Sequence, residues 1–342
     1  MPFVRGLEIN GFRGIKHSEG SIPLKKFNVI VGRNNSGKSS FLRALLLFPD
    51  PILQASSYSD LFLTHGSVWE GMVYRYRGKC VLKYATDLGE LTFTLEYFGA
   101  NTTAGAKAEF SFGGVERQEI NLSPPQQTVF LKPLTYSTYE DRKYLKRLFK
   151  EMDPQQAALS HTLYVAEPSE SLLLNSWPEL ELRNFHVEIA REVSKCVSDS
   201  FTELSIRMNE VVLRKMSDGV PFYVRFSDQG KGVQFLVYSM ALIKLNSPTL
   251  VLWDDFGSYM NPSLVKQILE YLAKSSFQVV LTTHSIDVIL ELVEVEPEDS
   301  QLLQFEKDGR DVLHHRTLCL DEIKDLLDSN QDPRKLATAV GI

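Results

Sequence analysis

The run Gly32-Arg33-Asn34-Asn35-Ser36-Gly37-Lys38-Ser39 constrains this chain more than any other stretch. It has the G-x-x-x-x-G-K-S spacing, is entered from the apolar segment Phe27 to Val31, and leaves through Ser40-Phe41-Leu42-Arg43-Ala44-Leu45. Strand, glycine-rich turn and helix in that order form a cradle for phosphate. The glycines let the backbone bend until its N–H groups face phosphate oxygens, and the helix N-terminus adds positive potential. Lys38 then reaches the β- and γ-phosphates, while Ser39 offers a hydroxyl to Mg²⁺. The expected ligands of a nucleoside triphosphate are Gly32, Asn34, Asn35, Ser36, Gly37, Lys38, Ser39 and Ser40. Without these flanks the same run would be an ordinary glycine-rich turn.

The chain has 342 residues, 43 % of them hydrophobic, enough for a large core in one elaborated domain or two. A formal net charge of −6 argues against a surface given over to nucleic acid and leaves only local basic patches for that role. Cys80, Cys196 and Cys319 are odd in number and far apart, which indicates neither a disulfide framework nor a cysteine zinc site. A reducing cytoplasm is the expected location. The opening Met1-Pro2-Phe3-Val4-Arg5-Gly6 runs into a strand pattern without an apolar signal core, and no stretch reaches transmembrane length. No membrane partner is expected.

Leu7 and Ile9 alternate with polar neighbours before the turn Phe12-Arg13-Gly14, an opening β-meander that feeds the phosphate loop. From Ser67 to about Val129 the pattern is antiparallel β: Leu91, Phe93, Leu95 and Tyr97 alternate with Thr92, Thr94 and Glu96. The small-residue tip 99–108 then makes a long hairpin, and residues 1–136 are expected to form an N-terminal lobe. Residues 137–202 are expected to form an inserted helical arm. Ser137 and Glu140 have capping-box spacing, and Tyr144, Leu145, Leu148 and Phe149 have helical spacing up to Asp153-Pro154. The other face of that helix carries Arg142, Lys143, Lys146, Arg147 and Lys150, which fits nucleic-acid phosphates or simply a solvated face. A second helix, from about Asn184 to Phe201, groups Phe185, Ile189, Val193 and Cys196.

Residues 203–342 read as a C-terminal lobe. A hairpin from Val211 to Phe226 turns at Ser217-Asp218-Gly219. Helix Gly232 to about Leu245, strand Thr249 to Trp253, helix Pro262 to Ala273, strand Gln278 to Thr282 and helix Ser285 to Val293 follow, an alternation that means a parallel sheet covered by helices. A hairpin from Leu302 to Leu318, turning at Asp308-Gly309, and a helix from about Asp321 finish the chain. The strand Thr249-Leu250-Val251-Leu252-Trp253 ends in Asp254-Asp255, as expected where a buried strand delivers carboxylates to a γ-phosphate. Asp254 is placed to hold Mg²⁺ with Ser39, and Asp255 to orient or deprotonate the attacking water. His284 ends the next strand, where ligands gather in parallel sheets. Lys38, Asp255 and His284 are thus the catalytic candidates; a lone histidine would more often cap a helix or pack, but one strand after an acidic pair the functional role is favoured.

Phe226-Ser227-Asp228-Gln229-Gly230-Lys231-Gly232-Val233-Gln234 opens a helix with glycines and makes a second helix N-terminus able to meet phosphate. One nucleotide rarely needs two such sites on one chain. With its motifs in this order, the chain resembles the ABC-type ATPases of the SMC, RecF and OLD-like branch, whose signature motif the Ser227 to Gly232 segment matches. Leu7-Glu8-Ile9-Asn10-Gly11-Phe12-Arg13-Gly14-Ile15-Lys16 is similar to the start of that branch. The resemblance implies an α/β P-loop NTPase, an ABC ATPase head with a mixed or parallel central sheet, an antiparallel β lobe and an inserted helical arm. It implies ATP and Mg²⁺ as cofactors and a head-to-tail homodimer that sandwiches two nucleotides. One chain would give Lys38, Ser39, Asp254, Asp255 and His284, and the other Ser227, Gly230 and Gly232, with Arg13 as a further phosphate contact. The branch also has a metal-linking glutamine between phosphate loop and signature, for which no residue stands out.

The chain departs from that pattern where Asp255 replaces the usual glutamate and is followed by Phe256-Gly257-Ser258-Tyr259-Met260-Asn261-Pro262. A misplacement of about 1 Å can cost on the order of 100-fold in rate. Asp228-Gln229 after Ser227 is a second departure. The absence of sustained heptads points to a compact head without a long coiled coil, and no acidic cluster of an appended nuclease follows Ser285. Three functions stay open. The first is an ATPase head that passes its nucleotide state through 137–202 to DNA repair, genome maintenance or defence, with or without a protein partner. The second is a nucleotide-gated module with little or no hydrolysis. The third is a P-loop kinase, against which His284 and the signature-like segment speak.

Overall fold

β4 (Phe27–Gly32) is apolar along almost all its length and buried on both faces, as a central parallel strand must be. It belongs to a computed structural model that describes residues 3–49, 54, 59–62, 69–87, 89–98, 105–112, 115–122, 162–165, 167–197 and 199–335. β14 (Gln278–Thr282) and β15 (Ser300–Lys307) flank β4, both parallel to it. Beyond β14 lie β13 (Leu250–Trp253) and then β9 (Thr162–Val165), again parallel. On the other side β15 pairs antiparallel with β16 (Val312–Leu318), which runs parallel to β2 (Ile15–Ser18). Through β1 (Val4–Phe12) the same sheet passes into the antiparallel run β5 (Gly78–Thr86), β6 (Gly89–Phe98), β7 (Gly105–Phe112) and β8 (Val115–Leu122). With β3 (Ile22–Pro23) on β1, the sheet has 13 strands among the described residues.

The period of two in β4 divides the core. Phe27, Val29 and Val31 face a cluster built with α4 (Phe185–Cys196), α5 (Lys231–Asn246), α6 (Pro262–Ala273) and α7 (Ile286–Val295). Ile30 faces a cluster built with α1 (Lys38–Leu46) and the N-terminal strands. Between these layers Asn28 is fully buried and satisfied: its Nδ2 donates to the carbonyls of Lys25 (2.7 Å) and Val279 (3.0 Å), and its Oδ1 accepts from Lys25 N and Gln301 Nε2, each at 2.8 Å. Local chemistry sets the helix starts. Asn261 caps α6 by accepting from Leu264 N with Pro262 behind it, and Ser285 caps α7 by accepting from Asp287 N. A separate sheet of β10 (Phe201–Arg207), β11 (Glu210–Ser217) and β12 (Val220–Arg225) turns at Met208-Asn209 and Asp218-Gly219, all four with positive φ, as tight two-residue hairpins require.

The alternation expected for 203–342 is present, with α6 and β14 at the expected residues. Two features differ from the sequence reading. Thr162–Val165, inside the stretch expected as a helical arm, is the outer strand beside β13, and all four of its residues are buried. Four apolar-facing residues show no period, so nothing in the sequence separates such a strand from a helix turn. Phe201–Arg207 is likewise a strand, and α4 ends at Cys196. The helical part of 137–202 among the described residues is α2 (Glu170–Asn175), α3 (Trp177–Leu182) and α4. The Ser137/Glu140 box and the basic face at 142–150 lie outside the described residues. No helix of the described residues is long and apolar enough to cross a membrane.

Candidate functional site

The loop between β4 and α1 turns through two residues of positive φ, Asn35 (65°) and Gly37 (95°), and so points successive N–H groups into a common hollow. Gly32 is required by contact: a Cβ there would lie 2.4 Å from the Phe305 carbonyl and 2.6 Å from Ser36 Oγ. Ser36 Oγ is buried and has no hydrogen-bond partner, an orphan that a bound oxyanion would satisfy. The Lys38 ammonium folds back onto the loop, donating to the carbonyls of Gly32 (2.9 Å) and Arg33 (3.0 Å). Burial lowers its pKa, and Asp254 and Asp255 partly oppose that effect.

Asn34 to Ser40, Asp254, Asp255, Thr282 and His284 line one open cavity of about 490 Å³. The far wall is the carboxyl end of β13. Trp253 beneath it is 2 % exposed, stacked on Phe235 and edge-on to Phe256, with ring centroids 6.3 and 5.0 Å away, which fixes the strand end. Asp254 accepts from Thr282 Oγ1 (2.5 Å) and from the Tyr164 hydroxyl (3.1 Å). The same Thr282 Oγ1 accepts from Asp255 N at 2.9 Å, so one hydroxyl ties both acidic residues to β14. Asp255 has φ 53°, a left-handed position that aspartate tolerates better than most residues. Thr283 continues the lacing: its Oγ1 donates to the Phe256 carbonyl at 2.8 Å and accepts from Ser285 N at 3.0 Å. His284 stands exposed after β14, its pKa lowered by burial and by Lys38 against the pull of Asp255 and Asp254. Burial, then Asp254, raises the Tyr164 pKa, which keeps that phenol a hydrogen-bond donor.

Thr282 and Tyr164 are site residues that the sequence reading missed. Tyr164 lies on β9, the strand with no sequence signal, and Thr282 becomes visible only once β13 and β14 are set side by side. Arg13, expected at phosphate, does not line the cavity. Its guanidinium donates to the carbonyls of Leu61 and Gly71, both at 3.1 Å, and burial with nearby Arg43 lowers its pKa to about 10. Ser227, Gly230 and Gly232 are also absent from the cavity wall. Ser227 and Gly230 are exposed in the turn before α5, and Gly232 is buried in the first turn of α5; Gln234 braces the segment, its Nε2 donating to the carbonyls of Gln229 (2.7 Å) and Ser227 (3.3 Å). A Cβ on Gly232 would lie 2.7 Å from Leu264 Cδ2 and 3.0 Å from the Tyr259 carbonyl, whereas Gly230 opens onto free space. Among the described residues no group of three or more His, Cys, Asp or Glu side chains could hold a metal by itself. A hydroxyl and one carboxylate, Ser39 and Asp254, suit Mg²⁺ that takes its other ligands from phosphate and water.

Comparisons with known proteins agree with this arrangement. A family model described as "AAA ATPase domain" matches residues 3–208, and one described as "AAA domain, putative AbiEii toxin, Type IV TA system" matches residues 135–291. No curated protein matches the chain. Among solved structures it is similar to the Smc head domain with an extended coiled coil bound to the C-terminal domain of ScpA from Pyrococcus furiosus, at 14 % identity over 96 % of this chain and 100 % of that one, TM-score 0.53. The Smc head domain with a coiled coil and joint from Pyrococcus yayanosii is similar at 12 % identity over 96 % and 100 %, TM-score 0.54. At such identities the likeness is one of fold. The first family model spans more than half of the sequence, so the chain belongs to the AAA ATPase family, with a P-loop at its phosphate-binding turn and a fold similar to that of Smc heads.

Proposed function

We propose that the chain is an ATP-hydrolysing head that closes on a second copy of itself, with two Mg·ATP held between the copies. The observation that carries this reading is the separation of two phosphate-binding elements. Residues 34–40 line the cavity, while Ser227 and Gly230 face solvent at the start of α5, away from that cavity, with Gly232 buried in the first turn and Gln234 bracing the segment. In a head-to-tail pair, Ser227, Gly230 and Gly232 of one copy meet the nucleotide held by Lys38, Ser39 and Asp254 of the other. Within each copy Lys38 leaves its loop carbonyls for the β- and γ-phosphates, and Ser36 Oγ gains its missing partner. Asp254 and Ser39 hold Mg²⁺, which neutralises phosphate charge when bound. Asp255 orients the attacking water, and His284 contacts the γ-phosphate.

Steady-state turnover of Mg·ATP per subunit over a wide protein concentration range tests the composite site. The rate is expected to rise with concentration and to vanish in Lys38→Ala. A rate per subunit independent of concentration, with monomers shown by sedimentation, removes the shared site. The left-handed Asp255, one methylene shorter than glutamate, favours a second reading in which hydrolysis is slow and the ATP-closed pair is the active state. ATP-dependent dimerisation with little turnover would select it.

The pathway follows by analogy. The Pyrococcus furiosus Smc head is bound to a domain of ScpA, which supports a protein partner for this head, and the toxin in the second family description supports a defence role beside DNA repair. Contact with nucleic acid rests on Arg142, Lys143, Lys146, Arg147 and Lys150. Charge reversal at Lys146 and Arg147 is expected to weaken DNA binding and flatten its salt dependence, and unchanged binding would reduce these residues to a solvated face. The cysteine pattern supports a cytoplasmic setting.

A further inference from the structure

Residues 331–335 reach back to β15 and to the backbone of His284, whose side chain lines the cavity. Gln304, 1 % exposed on β15 and in register with Val31 of β4, donates from Nε2 to the carbonyls of Pro333 (2.6 Å) and Lys335 (3.2 Å). Asp332 then forks with Arg334. Its Oδ1 accepts from the Arg334 backbone N (3.0 Å) and Nε (2.9 Å), and its Oδ2 accepts from Nη2 (2.8 Å). The remaining arm of the guanidinium, Nη1, donates to the His284 carbonyl at 2.8 Å. That carbonyl sits between two anchored amides, Thr283 N on the Ile30 carbonyl (3.0 Å) and Ser285 N on Thr283 Oγ1 (3.0 Å).

We infer that Arg334 is a positioning residue for His284: gripped by Asp332 and brought to the site by Gln304, it fixes the His284 carbonyl and so sets the imidazole at the cavity mouth. Only a planar guanidinium can satisfy both carboxylate oxygens and still present a further N–H to a third group. A lysine could make any one of these contacts but not the set. The strand beside the phosphate loop and the histidine at its mouth are thereby joined through a segment distant from both in sequence. The role of His284 rests on the ATP reading above, while the grip on its carbonyl does not.

Two measurements separate these layers. Amide hydrogen exchange at 283–286, read without nucleotide, is expected to quicken in Arg334→Gln and equally in Gln304→Leu, with Arg334→Lys in between. In Mg·ATP turnover, Arg334→Gln is expected to lower kcat by about tenfold with KM nearly unchanged, as loss of orientation at a reacting group does. The same change placed on His284→Ala is expected to cost nothing further, since residues acting through one another are not additive. Wild-type exchange in both variants overturns the grip. Faster exchange with unchanged kcat, or a full additional loss on His284→Ala, overturns the positioning role. If the wild type binds no ATP, the ATP reading fails, and the exchange measurement still decides whether Arg334 holds His284.

Discussion

One hydroxyl group, on Thr282, touches both acidic residues at the end of β13. Thr282 Oγ1 donates to Asp254 and accepts from Asp255 N, so Thr282→Val removes both contacts while keeping the shape of the strand. The loss is expected to cost about 1–3 kcal/mol, read as a lower midpoint of denaturant unfolding, together with weaker Mg²⁺ dependence of ATP binding. Asp255→Asn tests the water-activating role directly. It keeps volume and backbone and is expected to lower kcat by about 100-fold or more while ATP affinity holds, because a general base typically contributes that much. An unchanged kcat would move the base to another residue. The left-handed φ of Asp255 gives a physical reason for the shorter acid, since aspartate visits that region more readily than longer side chains do.

At the scale of elements, α5 and the turn before it are packed against the loop that follows β13. Gly232→Ala would press a methyl to within 2.7 Å of Leu264 and 3.0 Å of the Tyr259 carbonyl, and is expected to destabilise the protein by about 1–3 kcal/mol in chemical unfolding. Legibility in the sequence follows the same grain. α6 and β14 could be read because Pro262 behind an Asn cap and a continuous apolar run each carry a local signal. Asn34 to Ser40, the acidic pair and His284 were legible as linear motifs, and the fold brings them to one cavity, which Gly32 does not line. β9 was not legible, because four buried residues have no period, and Tyr164 was lost with it. Thr282 escaped because its role comes from the pairing of β13 with β14. The surroundings of Arg13 come from Leu61 and Gly71, about 50 to 60 residues further on, which no local pattern reports.

Across the whole molecule, charge also pins distant strands together. His314 on β16 donates from Nδ1 to the Glu19 carboxylate (2.6 Å) and lies 3.5 Å from Asp308, and the Glu19 contact first of all raises its pKa. A raised histidine pKa stabilises the fold in full below the ordinary value of 6.5, and the contribution is lost as pH rises through the raised value. The Tm advantage of wild type over His314→Gln is therefore expected to be largest in mild acid and to disappear in alkaline buffer. Equal Tm differences across that range would mean that the pair holds by packing alone.

The position of β4 has a consequence for how the protein comes into being. Both strands beside it, β14 and β15, are encoded some 250 residues or more later in the chain, in the register pairs Val279 with Phe27 and Ser300 with Phe27. During synthesis the phosphate loop therefore leaves the ribosome long before the sheet that shapes it exists, and sequence separation of this size slows closure. A nascent chain halted before residue 278 carries the phosphate loop without either strand that flanks β4, and its apolar strand waits uncovered until those neighbours are made.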